Sequence, residues 1–149
     1  MCFKIELLLL ASIYKQYKHL NITDEQIQRT QKMKVLVFDT ETTGLDPHKG
    51  THRIIDLACI EYEEAAPTGH VFNLKINPEG KKSVKSAFRV HGILDEKLEG
   101  KPTFSDIYEQ FIDFIKGSHL VIFNAAFDLR FLNAELNRVN YPSTVSDIC

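Results

Sequence analysis

Hydrophobic positions along this chain recur with two different periods, and the switches between them mark its elements. Val35-Leu36-Val37-Phe38 is a continuous, β-branched apolar run, which predicts a buried strand. From 54 to 62 the chain alternates. Ile54, Asp56, Ala58, Ile60 and Tyr62 share one predicted face, and Ile55, Leu57, Cys59 and Glu61 the other. A turn over 63–69 leads to a third strand over 71–77, which Pro78 ends. Three strands joined by short links predict an antiparallel meander. The period then lengthens. Phe104, Ile107, Tyr108, Phe111, Phe114 and Ile115 recur at helical spacing, so 104–116 reads as an amphipathic helix capped by Thr103 and stopped at Gly117. Leu120-Val121-Ile122-Phe123 is a second buried strand, and Phe127, Phe131, Leu132, Leu136 and Val139 predict a helix over 126–137. A helical turn is expected at 95–98.

Residues before Met33 read differently. The Leu7-Leu8-Leu9-Leu10 run is too short to span a bilayer, which takes about 20 apolar residues, and no small-x-small cleavage site comes after it. Thr23-Asp24-Glu25-Gln26 has the form of a capping box, so 7–18 and 24–32 are two candidate helices. Residues 1–32 are therefore expected to be a non-catalytic N-terminal extension, and 33–149 the working domain. At 149 residues, the chain is long enough to bury most of its apolar surface in one domain. The net charge of -2 argues against a protein that coats nucleic acid without selectivity, though not against an enzyme with an acidic site. Cys2, Cys59 and Cys149 are odd in number and lack CxxC spacing, so neither a disulfide framework nor a zinc site is expected. A reducing, cytoplasmic setting is the expectation, with no membrane partner.

The candidate chemistry sits where the apolar run stops. Asp39 and Glu41 alternate along a strand, so both carboxylates project from one face, where they repel unless cations lie between them. Thr42-Thr43-Gly44 comes next, with small side chains and backbone N–H groups suited to close approach by a substrate. A strand end decorated with solvated acids is the plain alternative. Asp128 falls in the first turn of the last helix, where an anion stabilises the helix by itself. Lys81, Lys82, Lys85 and Arg89 could track phosphates or form a solvated face, and His48 and His52 read as solvated loop residues.

The phrase Phe38-Asp39-Thr40-Glu41-Thr42-Thr43-Gly44, taken with Asn124-Ala125-Ala126-Phe127-Asp128, resembles the first two motifs of the DEDD exonucleases. Thr51–Leu57, Ala87–Ile93 and Lys101–Phe104 agree in order with the epsilon-type proofreading branch of that family. The resemblance implies an α/β, ribonuclease-H-like mixed sheet, three antiparallel strands then a parallel one, flanked by helices. It implies metal-dependent hydrolysis at DNA 3′ ends. Asp39, Glu41 and Asp128 would hold two divalent cations, Mg²⁺ or Mn²⁺, that activate water and clamp the reacting oxygens. Thr42, Thr43, Gly44 and Leu45 would contact the terminal nucleotide, with His91, Asn124 and Phe127 lining the cleft. The implied partners are a single-stranded or mispaired DNA 3′ end and the catalytic subunit of DNA polymerase III. Two departures stand out. Phe123 occupies the place of a histidine, and no third motif, with its general-base histidine and fourth acid, occurs before Cys149. The domain is thus expected to be C-terminally incomplete, with exposed apolar surface and low activity. A non-catalytic module of the same fold and an RNA-directed exonuclease are the alternatives.

Overall fold

The computed structural model describes residues 34–49, 51–63 and 66–149. The two helices expected within residues 1–32 lie outside them. A four-stranded sheet in the order β3-β2-β1-β4 forms the centre. Strand β1 is Val35–Thr42, β2 is Ile54–Glu63, β3 is Ala66–Lys75 and β4 is His119–Ile122. The first three pair antiparallel, and β4 joins the other edge of β1 in parallel, Phe38 beside Ile122. This is the mixed sheet the sequence predicts. Because β4 runs parallel to β1, the segments after both strands emerge at the same edge of the sheet.

Alternation along β1 sorts its residues. Leu36 and Phe38 are buried beneath helices, whereas Val35, Val37, Asp39 and Glu41 are each only partly covered. Helix α2 (Phe104–Ile115) turns Phe104, Ile107, Phe111 and Ile115 onto the buried face; helix α3 (Ala125–Arg138) adds Phe131, Leu132 and Leu136. Phe111 is the hub, its ring 6.0 Å from that of Phe38 and 5.4 Å from that of Phe72. Burying one such phenyl group stabilises by about 2–3 kcal/mol. The aromatic stripe of α2 is core, as its spacing predicts. Thr103 caps the helix and exchanges bonds with Asp106.

Several boundaries move from their predicted places. Strand β1 runs on through both acids to Thr42, since Asp39 pairs with Ala58 and Glu41 with Asp56. An irregularity between Glu41 and Thr42 pairs Thr42 with Ile54, and Ile54 joins the core with Leu57 and Cys59 instead of sharing the face of Asp56. Strand β3 begins at Ala66, before the expected turn is over, and β4 stops at Ile122, leaving Phe123 83% exposed. Helix α1 (Lys85–His91) is not legible in the sequence because it buries no residue and so leaves no apolar stripe. It ends on Gly92, whose φ of 67° is the left-handed conformation of a helix terminator. A 3₁₀ turn at Asp95–Lys97 matches the predicted one. A last short helix, α4 (Val145–Ile148), carries Asp147 as its cap partner and plants Val145 in the core.

Candidate active site

At the carboxyl end of β1 the backbone crosses from a buried strand into the Thr42–Gly44 turn. Asp39 and Glu41 stay on the partly covered face, while Thr40 between them points inward and is 7% exposed. Helix α3 meets it there. The Thr40 amide donates to Asp128 Oδ1 at 3.1 Å, and the Thr40 hydroxyl donates to the same oxygen at 2.7 Å. Asp128 therefore does more than stabilise its own helix: its buried carboxylate is tied to the residue separating the two strand acids. Acids from two distant stretches of the chain are thereby linked through one strand end.

The electrostatics record the cost of this gathering. The Glu41 carboxyl is pushed up to about 7, first by burial, then by the charges of Asp39 and Asp56, with Lys75 opposing. Burial also raises Asp128, and the two bonds from Thr40 pull it back down. Among the described residues, no group of three or more His, Cys, Asp or Glu side chains is gathered closely enough to enclose a metal ion. The donors are all oxygens, and burial favours the protonated forms of Glu41 and Asp128. That chemistry fits a hard divalent cation.

The other predicted residues fall around this point. Thr42 and Thr43 are buried, and their polar groups serve the turn. The Thr42 hydroxyl donates to the Gly44 carbonyl at 2.7 Å, the Thr43 amide to the Arg53 carbonyl at 2.9 Å, and Thr43 Oγ1 lies 3.0 Å from His52 Nδ1. The amide of Thr43 is thus spent within the turn, not offered to a substrate. Gly44 is required sterically, for a Cβ there would collide with the His52 ring. Leu45 projects outward, 71% exposed, while Arg130 of α3 donates to its carbonyl at 2.9 Å. Asn124 and Phe127 lie at the start of α3. Asn124 is exposed and its carbonyl accepts from the Phe127 amide, while Phe127 stacks on Phe131 at 4.9 Å. His91 ends α1, which is anchored by the Val84 amide donating to the Thr43 carbonyl at 2.9 Å. Its Nδ1 accepts from the Ile93 amide at 2.9 Å, and burial lowers its pKa. Lys82, Lys85 and Arg89 are exposed, as a solvated or phosphate-facing stripe would be.

Sequence reasoning misses three participants. Nothing along the chain marks Thr40, whose partner lies 88 residues away. Asp56 and Lys75, paired with each other across β2 and β3, read from sequence only as strand residues. An acid and a lysine in neighbouring strands of a predicted meander are the available signal. A support is equally hidden: buried Glu135 receives Arg53 at 2.8 Å, Arg138 at 3.1 Å and the Ile54 amide at 3.2 Å, clamping α3 to the start of β2.

Comparison with known proteins adds three findings. A profile of the exonuclease family RNase_T matches residues 36–149. The DNA polymerase III epsilon subunit of Rickettsia felis is 46% identical over 105 residues, 70% of this chain and 45% of the relative. The Escherichia coli K12 epsilon subunit is 41% identical over 105 residues, 68% of this chain and 43% of the relative. This chain thus spans less than half the length of these relatives. In fold it is similar to Escherichia coli exonuclease I crystallised with a dT13 oligonucleotide, at a TM-score of 0.66 and 17% identity, over 74% of this chain and 25% of that one.

Proposed function

From its place in the exonuclease family RNase_T, to which this chain belongs, we propose that the protein removes nucleotides from the 3′ ends of DNA by metal-dependent hydrolysis, as a proofreading exonuclease. The observation that carries this reading is the paired bond from Thr40 to Asp128, which joins the acid at the head of α3 to the strand bearing Asp39 and Glu41. The family generally uses divalent metal ions. Asp39 and Glu41 would hold Mg²⁺ or Mn²⁺, with Asp128 completing the oxygen donors present. The bound cations supply Lewis acidity and neutralise charge developing on the phosphate oxygens.

The remaining residues position the strand end. Leu45, exposed beside the turn, would wedge against a terminal base, its carbonyl held by Arg130. Asn124 and Phe127, at the start of α3, would line the same cleft. His91 Nδ1 accepts an amide proton, so in the neutral ring Nε2 carries the hydrogen and is a donor, not a base. Single-stranded or mispaired 3′ ends are the proposed substrate, and the polymerase III catalytic subunit the proposed partner, both by analogy with the epsilon subunits that the chain matches in part. A cytoplasmic location is part of the same proposal; among the described residues no helix is long and apolar enough to cross a membrane.

Release of mononucleotides from a 5′-labelled oligonucleotide with a mispaired 3′ end tests this. Mg²⁺-dependent shortening by the chain, abolished in Asp39→Ala, is the expected result. Equal background rates for both proteins would overturn it. They would favour a second reading, a non-catalytic module of the same fold, with which the lack of a three-ligand metal cluster among the described residues agrees.

A further inference from the structure

Strand pairing lines up one apolar row across the whole sheet. Val121 of β4 stands beside Val37 of β1, Val37 opposite Ile60 of β2, and Ile60 opposite Val71 of β3. Register partners share a face, so all four project to the side of Asp39 and Glu41. Each is only partly covered, and Val71 is 53% exposed. Among the described residues, none of the four belongs to the core that α2 and α3 build on the other face. Val35 extends the patch toward the end of β1 where residues 1–34 join it. The face is thus divided. It is aliphatic at the head of β1, and charged about 14 Å further along, at the row of Glu41, Asp56 and Lys75.

A matching surface lies in the same chain. Along the candidate helix at 7–18, Leu7, Leu10, Tyr14 and Tyr17 recur at spacings of three and four, with Phe3 one turn ahead. A helix of that length is about 18 Å long and four paired strands are about 14 Å wide, so it crosses the apolar row from end to end. Residues 19–33 connect it to β1, and a connection of that length reaches as far as about 50 Å. The tether keeps the segment at an effective concentration of order millimolar beside the patch, which a separate partner must outcompete. The segment also lies outside the family profile, whose match begins at residue 36.

We propose that residues 3–18 dock on the row of Val121, Val37, Ile60 and Val71, their apolar stripe forming a second layer over this half of the sheet and leaving the row of Glu41 uncovered. The docked segment removes from water the aliphatic side chains that α2 and α3 do not reach.

p-Benzoylphenylalanine at position 71 tests this in the whole chain, at an edge-strand site where the native side chain is already half exposed. Irradiation should link the probe within one chain, and mass spectrometry should map the link to residues 3–18. A link between two chains would assign the face to a second copy, and no link at all would leave it bare; either result overturns the proposal. Leu10→Asp should abolish the link and raise the unfolding equilibrium constant about 10–100-fold, the worth of burying one leucine. Leu8→Asp, on the opposite side of the same helix, should change neither. Equal effects of the two substitutions would overturn the docked stripe.

Discussion

Replacing Glu41 with glutamine should stabilise the metal-free fold at alkaline pH. The Glu41 carboxyl, half-buried beside Asp39 and opposite Asp56, is pushed from 4.5 to about 7. That displacement corresponds to about 3 kcal/mol against its charged form, and because solvent reaches part of the side chain, about half is a fair expectation. The sign comes from linkage. A carboxyl harder to ionise folded than unfolded costs nothing below about 4.5, costs progressively more up to about 7, and costs a constant amount above. Glu41→Gln, with no proton to lose, should therefore melt about 5 °C higher than the unaltered chain at pH 8 in EDTA, and close to it at pH 4.5. Millimolar Mn²⁺ should reverse the order at pH 8, because cations that bind the native site stabilise by mass action and the variant lacks a ligand. Thermal melts monitored by circular dichroism at the two pH values, with and without metal, measure this. A variant less stable at pH 8 in EDTA, or a gain of equal size at both pH values, would refute the argument that these carboxylates are held together against their own repulsion.

Other consequences can be checked independently. Thr40→Val removes the hydroxyl donated to buried Asp128 and should cost about 1–2 kcal/mol in urea unfolding, together with weaker Mn²⁺ binding; unchanged values for both would show that the bond does not matter. Glu135→Leu leaves the buried Ile54 amide without its acceptor and Arg53 with Glu79 as its remaining ion pair, and should cost about 1–3 kcal/mol, read from the denaturation midpoint. Gly44→Ala forces the His52 ring from its seat on the turn; since burial is the main cause of its lowered pKa, NMR titration should show that pKa rising toward the ordinary value.

The legible part of this protein is whatever period and neighbourhood can carry. The meander, the aromatic core helix with its Thr103 cap, and the second strand–helix pair all come from alternation or helical recurrence, because burial on one face writes itself into every second or every third and fourth residue. Asp39 and Glu41 belong to the same class, since two residues on one strand share a face by geometry. Helix α1 escapes because it buries nothing, and Ile54 changes sides because of a local irregularity opposite Thr42. Only tertiary structure could show that Thr40 reaches Asp128, that Glu135 locks α3 to β2, or that Asp56 lies opposite Glu41 and pairs with Lys75. Sequence constrains a side chain through its neighbours along the chain. The partners of these groups arrive from far away, brought by strand pairing and helix packing, and contact across such distances leaves no period to read.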